Sequence, residues 1–416
     1  MINALDDIRK TARIGFVGGG QLAMMTAEEA RQMRTRSSGT IDMTINILDP
    51  SPNCPAHRFS ARQIVADFKD VGGIERLAEI SDILTYEIEL GNAEALVKLR
   101  DKGVRILPSP ETLRIIQDKH TQKEFLRSRG IPVPRQVEIA TPEDLRVQLK
   151  DFGYPAMLKS RRDSYDGRGN YLIRLPEEVS DALRFLSGRS LMLEEFMRWD
   201  REVSVIAARS ANGEVATFPV GENVHRDNIL EMTIMPARIS RETSAEAERV
   251  ARLVVGTLAD YGVFGIEMFE CAGRILVNEV APRVHNTGHG TLERGAFETS
   301  QFEQHLRAIT GLPLGNTSMK RAVVMRNILG DEDGYVGPYS VEGIDEAEKI
   351  PGVRVHMYGK EEVRPKRKMG HLAVVGGEEA ASGGKGLYDE RAMEELIARA
   401  VHARELIKMR RVNQNA

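Results

Sequence analysis

Short apolar segments alternate with helix-like segments through the first 115 residues, and this alternation limits the possible folds more than any other feature of the sequence. The apolar segments lie at residues 14–17, 45–49, 83–86 and 104–107. Alternation of this kind is typical of a parallel sheet covered by helices. We therefore predict a Rossmann-like domain over residues 1–118.

The pattern changes after residue 118. Helical spacing at 119–129 and 245–261 is separated by strand-rich stretches, and two strands at 263–269 and 274–280 are joined by a Cys-Ala-Gly turn. The predicted units are a central domain at residues 119–190, a C-terminal domain at 191–377 and a helical tail of unknown role at 378–416.

Charge and hydropathy exclude several classes of protein. The 58 basic and 61 acidic residues give a net charge of −3, which provides no general attraction to nucleic acid or anionic membranes. No apolar run approaches the roughly 20 residues that cross a bilayer. Residues 1–12, expected to be a short amphipathic helix or an extension, lack a signal-peptide core. Cys54 and Cys271 are too few for a disulfide framework. We expect a cytoplasmic protein that binds neither nucleic acid nor membrane.

Residues 18–23 (GGGQLA) match the pattern G-x-G-x-x-A between a predicted strand and a predicted helix. Glycines allow close approach of the backbone to a phosphate, which a helix N-terminus then binds. A dinucleotide-dependent dehydrogenase would use this turn with Asp49 as its ribose-binding acid. A small-anion site and a merely tight turn are the alternatives, and no later segment looks like a hydride-transfer site.

A second glycine-rich segment, residues 164–170 (SYDGRGN), lies between two predicted strands. Two glycines around an arginine suit a loop that folds over a charged ligand. Lys159, on the preceding strand, could neutralise phosphate oxygens as a point charge. The alternative is a polar hairpin with a surface lysine.

Glu267 and Glu279 lie on neighbouring predicted strands among apolar residues, where an unpaired carboxylate costs several kcal/mol. Strand alternation places Glu267 on the face opposite Ile266, and a hairpin can bring the two carboxylates side by side. Such a pair needs a cation, and oxygen ligands favour Mg²⁺ that bridges nucleotide phosphates. Asn278 adds a neutral oxygen. A structural salt bridge, for example between Glu279 and Arg283, is the alternative.

His285 and His289 have a spacing found in zinc hydrolases. Gly288 and Pro282 indicate a loop rather than a helix, and no third ligand is obvious. We therefore expect a loop that donates hydrogen bonds to substrate or phosphate, in preference to a zinc site.

Together these segments resemble the ATP-grasp superfamily and, within it, the 5-(carboxyamino)imidazole ribonucleotide synthases. The resemblance covers about residue 13 to about residue 377 and includes GFVGGGQLAMM, YDGRGN, GVFGIEMF, NEVAPRVHNTGH and TSQFEQHL. Formate-dependent glycinamide ribonucleotide transformylases share the Phe-Gly-x-Glu strand, but YDGRG and TSQFE argue against them. The resemblance implies an α/β fold with a Rossmann-like domain, a central lid and an ATP-grasp domain.

The resemblance also implies a site in which ATP lies between two antiparallel sheets and Mg²⁺ is bound by Glu267 and Glu279. The implied nucleotide-binding residues are Lys119, Lys159, Ser164, Tyr165, Asp166, Gly167, Arg168, Gly169, Asn170, Glu194, Glu195, Phe196, Met197, Glu202, His225, Asn278 and Glu279. Those implied for aminoimidazole ribonucleotide are Gly19, Gly20, Gln21, Glu87, Tyr165, Asp166, Arg168, His285 and, at its phosphate, Lys360 and Arg367. The implied catalytic residues are Lys159, Asp166, Arg168 and Arg283.

The implied reaction uses ATP to convert bicarbonate into carboxyphosphate, whose CO₂ is captured by the amine of aminoimidazole ribonucleotide. Asp166 is the expected group for proton removal from that amine. The resemblance implies a homodimer, and a separate mutase is expected to consume the product. A non-catalytic nucleotide sensor is the remaining alternative.

Overall fold

The structure is a computed structural model that describes residues 10–163, 169–330, 333–377 and 388–412. The predicted N-terminal extension lies outside these residues as far as residue 9, and so do residues 164–168 of the second glycine-rich segment. In the described part of the chain, no helix is both long and apolar enough to span a membrane.

The N-terminal domain is built on a parallel sheet, as predicted. Its elements are β1 (Thr11–Val17), α1 (Gln21–Arg36), β2 (Asp42–Asp49), a 3₁₀ helix (Pro55–Arg58), β3 (Arg62–Val65), α2 (Val71–Glu79), β4 (Ile83–Tyr86), α3 (Ala93–Asp101), β5 (Arg105–Ile106) and α4 (Pro110–Gln117). The described strands are ordered β3-β2-β1-β4-β5. The order reverses at β1, where open α/β sheets bind ligands beyond the carboxyl ends of their strands. Thr11 and Ala12, assigned above to the extension, begin β1.

The lid contains an antiparallel sheet. Its elements are α5 (Lys119–Arg127), β6 (Gln136–Ile139), α6 (Pro142–Phe152), β7 (Ala156–Ser160), β8 (Asn170–Ile173), a 3₁₀ helix (Pro176–Glu178), α7 (Val179–Phe185) and β9 (Leu191–Glu195). The strands are ordered β6-β9-β7-β8. Asp118 caps α5, since its carboxylate accepts hydrogen bonds from the backbone N–H groups of His120 and Thr121. This cap places Lys119 at the first turn of the helix.

A second, larger antiparallel sheet forms the C-terminal domain. Its elements are β10 (Arg201–Arg209), β11 (Val215–Thr217), β12 (Gly221–Arg226), β13 (Ile229–Met235), α8 (Arg241–Leu258), β14 (Gly262–Cys271), β15 (Arg274–Ala281), a 3₁₀ helix (Asn286–Leu292), α9 (Gln301–Thr310), β16 (Val323–Leu329), β17 (Tyr339–Glu342), α10 (Ile344–Glu348), β18 (Val353–Met357) and β19 (Lys368–Val375). The strands follow the order β15-β14-β10-β12-β13-β16-β19-β18, with β11 on β10. α8 begins and ends earlier than predicted, because Ser240 caps its start and left-handed Ala259 ends it.

The tail packs onto the C-terminal domain. Its helix, α11 (Glu390–Leu406), buries Met393, Leu396 and Ala400 in a core shared with residues of β16 and β19. It is followed by β20 (Lys408–Arg411), which pairs antiparallel with β17. The predicted helix is therefore present, and its apolar face completes the core of this domain.

Candidate active site

A cavity of about 820 Å³ opens where the Rossmann-like domain, the lid and the C-terminal domain meet. The predicted site residues that line it are Gly20, Gln21, Glu87, Lys119, Lys159, Asn170, Glu194, Glu195, Phe196, Met197, Glu202, His225, Glu267, Asn278, Glu279, Arg283, His285, Lys360 and Arg367. Gly19 and Gly169 do not line it: Gly19 N–H donates to Asp49, and the Gly169 carbonyl accepts from Ser160. Residues 164–168 lie outside the described part of the chain.

The two predicted metal ligands face each other across the β14–β15 hairpin. Glu267 is the direct register partner of Glu279, and a β-bulge follows, so that the next pair is Met268 with Val277. Adjacent residues of a regular strand face opposite sides, but a bulge places two residues against one. Asn278 and Glu279 consequently line the cavity together with Glu267. The predicted pairing of the two glutamates is observed, and metal binding stays a prediction.

A lysine cation and a neutral histidine lie against this pair of carboxylates, since burial lowers the pKa of His285 to about 3. Lys119 Nζ is 2.7 Å from Glu279 Oε2, and His285 Nε2 is 3.2 Å from Glu267 Oε1. Burial and the Glu279 charge raise the pKa of Glu267, whereas the Lys119 ammonium lowers the pKa of Glu279. Glu279 therefore carries a negative charge more readily than Glu267 does.

These oxygen atoms fit a cation that is bound partly by the protein and partly by the phosphate groups of a ligand. Among the described residues, no cluster of three or more His, Cys, Asp or Glu side chains is arranged for a metal ion. Mg²⁺ needs no such cluster, since proteins commonly supply one or two carboxylates and leave the other positions to phosphates and water. Glu267 and Glu279, with the amide oxygen of Asn278, are sufficient for that arrangement.

Glu194 is a buried carboxylate bound by two lysines. Its side chain is 3% exposed, with the ammonium groups of Lys123 and Lys159 each against one carboxylate oxygen. Burial alone would raise the pKa of Glu194, but the two ammonium groups lower it. We call the part of the cavity formed by Glu194, Glu202, Glu267 and Glu279 the acidic end.

Aromatic side chains border the acidic end. Trp199 stacks on Phe269 with ring centroids 4.7 Å apart and an interplanar angle of 18°, and Phe196 lies beside Trp199. All three line the cavity, next to the connector that follows β9. Nearby, His225 Nδ1 is 2.9 Å from Glu202 Oε2. Flat apolar walls with a few polar groups are typical of a small-molecule pocket.

Another part of the cavity wall is basic. We call residues 360–368, which connect β18 to β19, the basic segment. Lys360 Nζ donates to the backbone carbonyl of Lys368 at 2.7 Å, and Arg367 Nη1 donates to the carbonyl of Glu362 at 2.9 Å. Burial and neighbouring Arg364 lower the pKa of Arg367, as expected where positive charges are gathered.

The N-terminal glycine turn is closed by carboxylates from its own domain. Asp49 Oδ2 accepts from Gly19 N–H at 2.9 Å. The Glu87 carboxylate accepts from the N–H groups of Gly20 and Leu22, at the start of α1. A dinucleotide pyrophosphate would need these same amide groups. This arrangement argues against the dehydrogenase interpretation, in which Asp49 would bind ribose.

Glu279 does form a salt bridge, but its partner is Lys119 rather than the suggested Arg283, and the zinc alternative is wrong. Arg283 does not pair with Glu279; its guanidinium forms a two-point contact with Glu89, at 2.8 and 3.1 Å. His285 faces the cavity, whereas His289 is fully buried and stacks on His371, with 4.7 Å between ring centroids. The segment after His285 is a short 3₁₀ helix rather than the predicted loop. In this geometry the two histidine side chains point in different directions and cannot bind one zinc ion.

Sequence reasoning missed several residues of the site. Lys123 lies one helical turn after Lys119 and could have been found from that spacing on a predicted helix. Glu89 and the pair of Trp199 with Phe269 carry no comparable signal, because their partners come from distant parts of the chain.

Three family models match consecutive parts of the chain. The ribonucleotide synthetase preATP-grasp domain matches residues 11–117, the ATP-grasp domain residues 124–302, and the phosphoribosylaminoimidazole carboxylase C-terminal domain residues 323–383. These matches and the cavity between the two antiparallel sheets define the class as an ATP-grasp ligase.

Relatives define the family within that class. A Synechococcus elongatus N5-carboxyaminoimidazole ribonucleotide synthase is 36% identical over 362 residues, which are 87% of this chain and 89% of the relative. The Thermotoga maritima synthetase structure has 41% identity and a TM-score of 0.82, covering 96% of this chain and 99% of that one. An Aspergillus clavatus N5-carboxyaminoimidazole synthase, solved with ADP and 5-aminoimidazole ribonucleotide, has 31% identity and a TM-score of 0.82, covering 95% and 99%. The chain therefore belongs to the N5-carboxyaminoimidazole ribonucleotide synthase family, which confirms the resemblance of its motifs.

Proposed function

We propose that this chain carboxylates 5-aminoimidazole ribonucleotide with ATP and bicarbonate, giving 5-(carboxyamino)imidazole ribonucleotide, ADP and phosphate. One observation carries the proposal: a single cavity joins the paired glutamates Glu267 and Glu279 to the basic segment. The first suits a nucleotide with its metal, and the second suits the phosphate of a ribonucleotide. The Aspergillus clavatus relative binds ADP and 5-aminoimidazole ribonucleotide together, which supports both assignments.

ATP would lie at the acidic end. Its base would pack beside Phe196 and Trp199, its ribose near Glu202, and its phosphates near Lys119 and Lys159. Glu267, Glu279 and Asn278 would hold Mg²⁺, which when bound neutralises charge on the transferring phosphoryl group. The two lysines would leave Glu279 and Glu194 for phosphate oxygens, a charge-assisted contact of the same kind.

The ribonucleotide would bind between the glycine turn and the basic segment. Lys360 and Arg367 would exchange their carbonyl acceptors for phosphate oxygens. Glu87 and His285 line the same cavity and would adjoin the aminoimidazole ring.

The reaction then has two steps. A bicarbonate oxygen attacks the γ-phosphorus of ATP, the bond to the β-phosphate oxygen breaks, and carboxyphosphate and ADP form. Cleavage of the carboxyphosphate C–O bond to the phosphate oxygen releases CO₂ and phosphate, and the amine attacks CO₂ and loses a proton. Arg283, held by Glu89, lines the cavity where it would bind the bicarbonate or carboxyphosphate oxygens.

Carboxyphosphate must be kept from water while it exists. Residues 164–168 lie outside the described residues, but Asp163 and Asn170 on either side of them both line the cavity. We assign Ser164, Tyr165 and Gly167 to ligand binding, Arg168 to ligand binding and catalysis, and Asp166 to removal of the amine proton. The homodimer and the separate mutase, expected from the resemblance, stay predictions, and so does the cytoplasmic location, expected from the composition.

The decisive experiment measures phosphate release and carboxylated product in one reaction, with ATP in bicarbonate buffer and with or without 5-aminoimidazole ribonucleotide. We expect both products to depend on the ribonucleotide. Turnover only with glycinamide ribonucleotide and formate would assign the chain to the transformylase reaction instead. ATP binding without turnover under any of these conditions would favour a nucleotide sensor.

Asp166→Asn tests the proton-transfer assignment, because asparagine keeps the size of the side chain but cannot take the proton. We expect nearly normal ATP binding and a product-to-phosphate ratio well below that of the wild type, since CO₂ escapes uncaptured. Asp151→Asn is the matched control: this carboxylate of the same domain is 68% exposed and is not part of the cavity lining, and the ratio should not change. A wild-type ratio at wild-type rate in Asp166→Asn would remove Asp166 from the mechanism.

A further inference from the structure

Glu194 carries one negative charge, but two lysine ammonium groups are bound to its carboxylate. Lys123 and Lys159 bind separate oxygens of its carboxylate, although one ammonium would balance the charge. The side chains of Lys123 and Glu194 are 2% and 3% exposed, and that of Lys159 is 11% exposed. Two lysines held together in such a site repel each other, so a second one needs a reason to be there.

The two lysines reach Glu194 from different elements. Lys123 comes from α5, one turn after Lys119, so both side chains leave the same face of that helix. Lys119 extends to Glu279 at the cavity, whereas Lys123 extends to the buried side of Glu194. Lys159 comes from β7 beside β9 and lines the cavity. Lys159 can therefore meet a ligand, while Lys123 stays behind Glu194.

Ligand binding changes the charge balance around Glu194. If Lys159 turns to a nucleotide phosphate, Glu194 loses one of its two partners. A buried carboxylate with no partner is strongly destabilising, because its desolvation is no longer compensated. With Lys123 in place, Glu194 remains paired after Lys159 has moved.

We propose that Lys123 is a positioning residue that serves as the permanent counter-ion of Glu194 and thereby frees Lys159 to bind the nucleotide phosphates. The inference rests on the proposed function, which places ATP at the acidic end. Lys123 itself touches neither substrate. Without Lys123, the binding of Lys159 to the phosphate would leave Glu194 unpaired. Lys159 would then bind the phosphate less strongly, and nucleotide affinity would fall.

The test is a double-mutant cycle on ADP binding, measured by calorimetry with Lys123→Met, Glu194→Gln and the double variant. We expect Lys123→Met to raise the Kd for ADP at least tenfold in the wild-type background. In the Glu194→Gln background the same change should alter the Kd by less than about threefold, since Lys159 no longer has a charge to neutralise. Lys123→Arg should retain most of the wild-type affinity. Equal losses in both backgrounds, or no loss in either, would overturn the proposal.

Two controls separate positioning from damage to the fold. Arg127→Met removes an exposed cation from the same helix, paired with Glu124, and should leave the Kd unchanged. Adenosine, which has no phosphate, should bind Lys123→Met as it binds the wild type; an equal loss for adenosine and ADP would contradict the proposal. If Lys123→Met does not fold, Lys123→Gln, which keeps a donor toward Glu194, takes its place in the cycle. Wild-type protein that binds ADP without carboxylating would contradict the proposed function and leave this test intact.

Discussion

The acidic end of the cavity and the basic segment differ in the groups to which their cations are bound. At the acidic end, lysines are bound to carboxylates, as Lys119 is to Glu279. In the basic segment, Lys360 and Arg367 donate to main-chain carbonyls. A phosphate that displaces a carboxylate exchanges one ion pair for another, whereas a phosphate that displaces a carbonyl gains a charge-assisted contact. Both regions must therefore exchange partners when a ligand binds, but the exchange in the basic segment replaces neutral acceptors by a charged one.

The largest effect is expected from neutralising the paired glutamates. Glu267→Gln and Glu279→Gln keep the side-chain shape but each remove a negative charge from the predicted metal site, so turnover should fall at least about 100-fold, the scale of losing a key electrostatic group. Steady-state rates with all three substrates measure this. Glu298→Gln, an exposed carboxylate paired with Lys320, is the control. Near-normal rates in both site variants would place the metal elsewhere.

The basic segment should act on one substrate only. Lys360→Ala and Arg367→Ala each remove a phosphate contact of roughly 1.5–3 kcal/mol, so the KM for the ribonucleotide should rise roughly 10- to 100-fold while the Kd for ADP stays nearly constant. Lys320→Ala, on the surface, should change neither constant. A rise in the Kd for ADP with an unchanged KM for the ribonucleotide would reverse the assignment of the acidic end and the basic segment.

The acidic end and the basic segment should also differ in how strongly their ion pairs make the free energy of unfolding depend on pH. Burial tends to lower the pKa of His225, but Glu202 outweighs burial and raises it. The pair therefore stabilises the fold below the ordinary histidine pKa, and its contribution is lost as pH rises through the raised value. Glu202→Gln should lower the free energy of unfolding by roughly 1 kcal/mol at pH 6 and by less at pH 8.5.

Urea unfolding at the two pH values measures this difference. Glu362→Gln, whose carboxylate accepts from Arg364 in the basic segment, is the comparison, because arginine does not titrate in this range. An equal effect of Glu202→Gln at both pH values would mean that His225 does not carry the charge.

The smallest effect is spectroscopic. Trp199 is the one tryptophan of the chain and lies at the acidic end, stacked on Phe269. ADP should change its fluorescence emission, and the ribonucleotide alone should change it much less. Trp199→Phe should abolish the signal and weaken ADP binding less than about tenfold, since one base–aromatic contact contributes roughly 1–3 kcal/mol and phenylalanine retains part of it. A larger response to the ribonucleotide would place that substrate beside Trp199.

Much of the site could be predicted because its signals are local. Period-two alternation and apolar neighbours fix the face of Glu267, and a short turn makes Glu279 its natural neighbour. The spacing of Asn278 could not be predicted in this way, because it depends on a bulge that interrupts the alternation. The glycines of residues 164–170 indicated a loop over a charged ligand, whereas the roles of residues 164–168 were implied by the resemblance, and both stay predictions.

The ion pairs of the cavity could not be predicted from local patterns. Arg283 was considered as a partner for Glu279, four residues earlier, but it binds Glu89, 194 residues away. Its true partner depends on how the Rossmann-like domain meets the loop after β15. Sequence distance carries no information about such a contact.

The sequence by itself determined the parallel sheet, the strand-rich domains that follow and the family, because strand periods, glycine turns and motifs are properties of short segments. Only the tertiary structure decided which cation each carboxylate holds. Lys119 meets Glu279 across 160 residues and Lys123 meets Glu194 across 71, with the partners on different elements. Charges on separate elements are brought together by the packing of apolar surfaces, which is non-directional and does not select particular ion pairs. The energetic contribution of each ion pair then depends on how deeply that packing buries it.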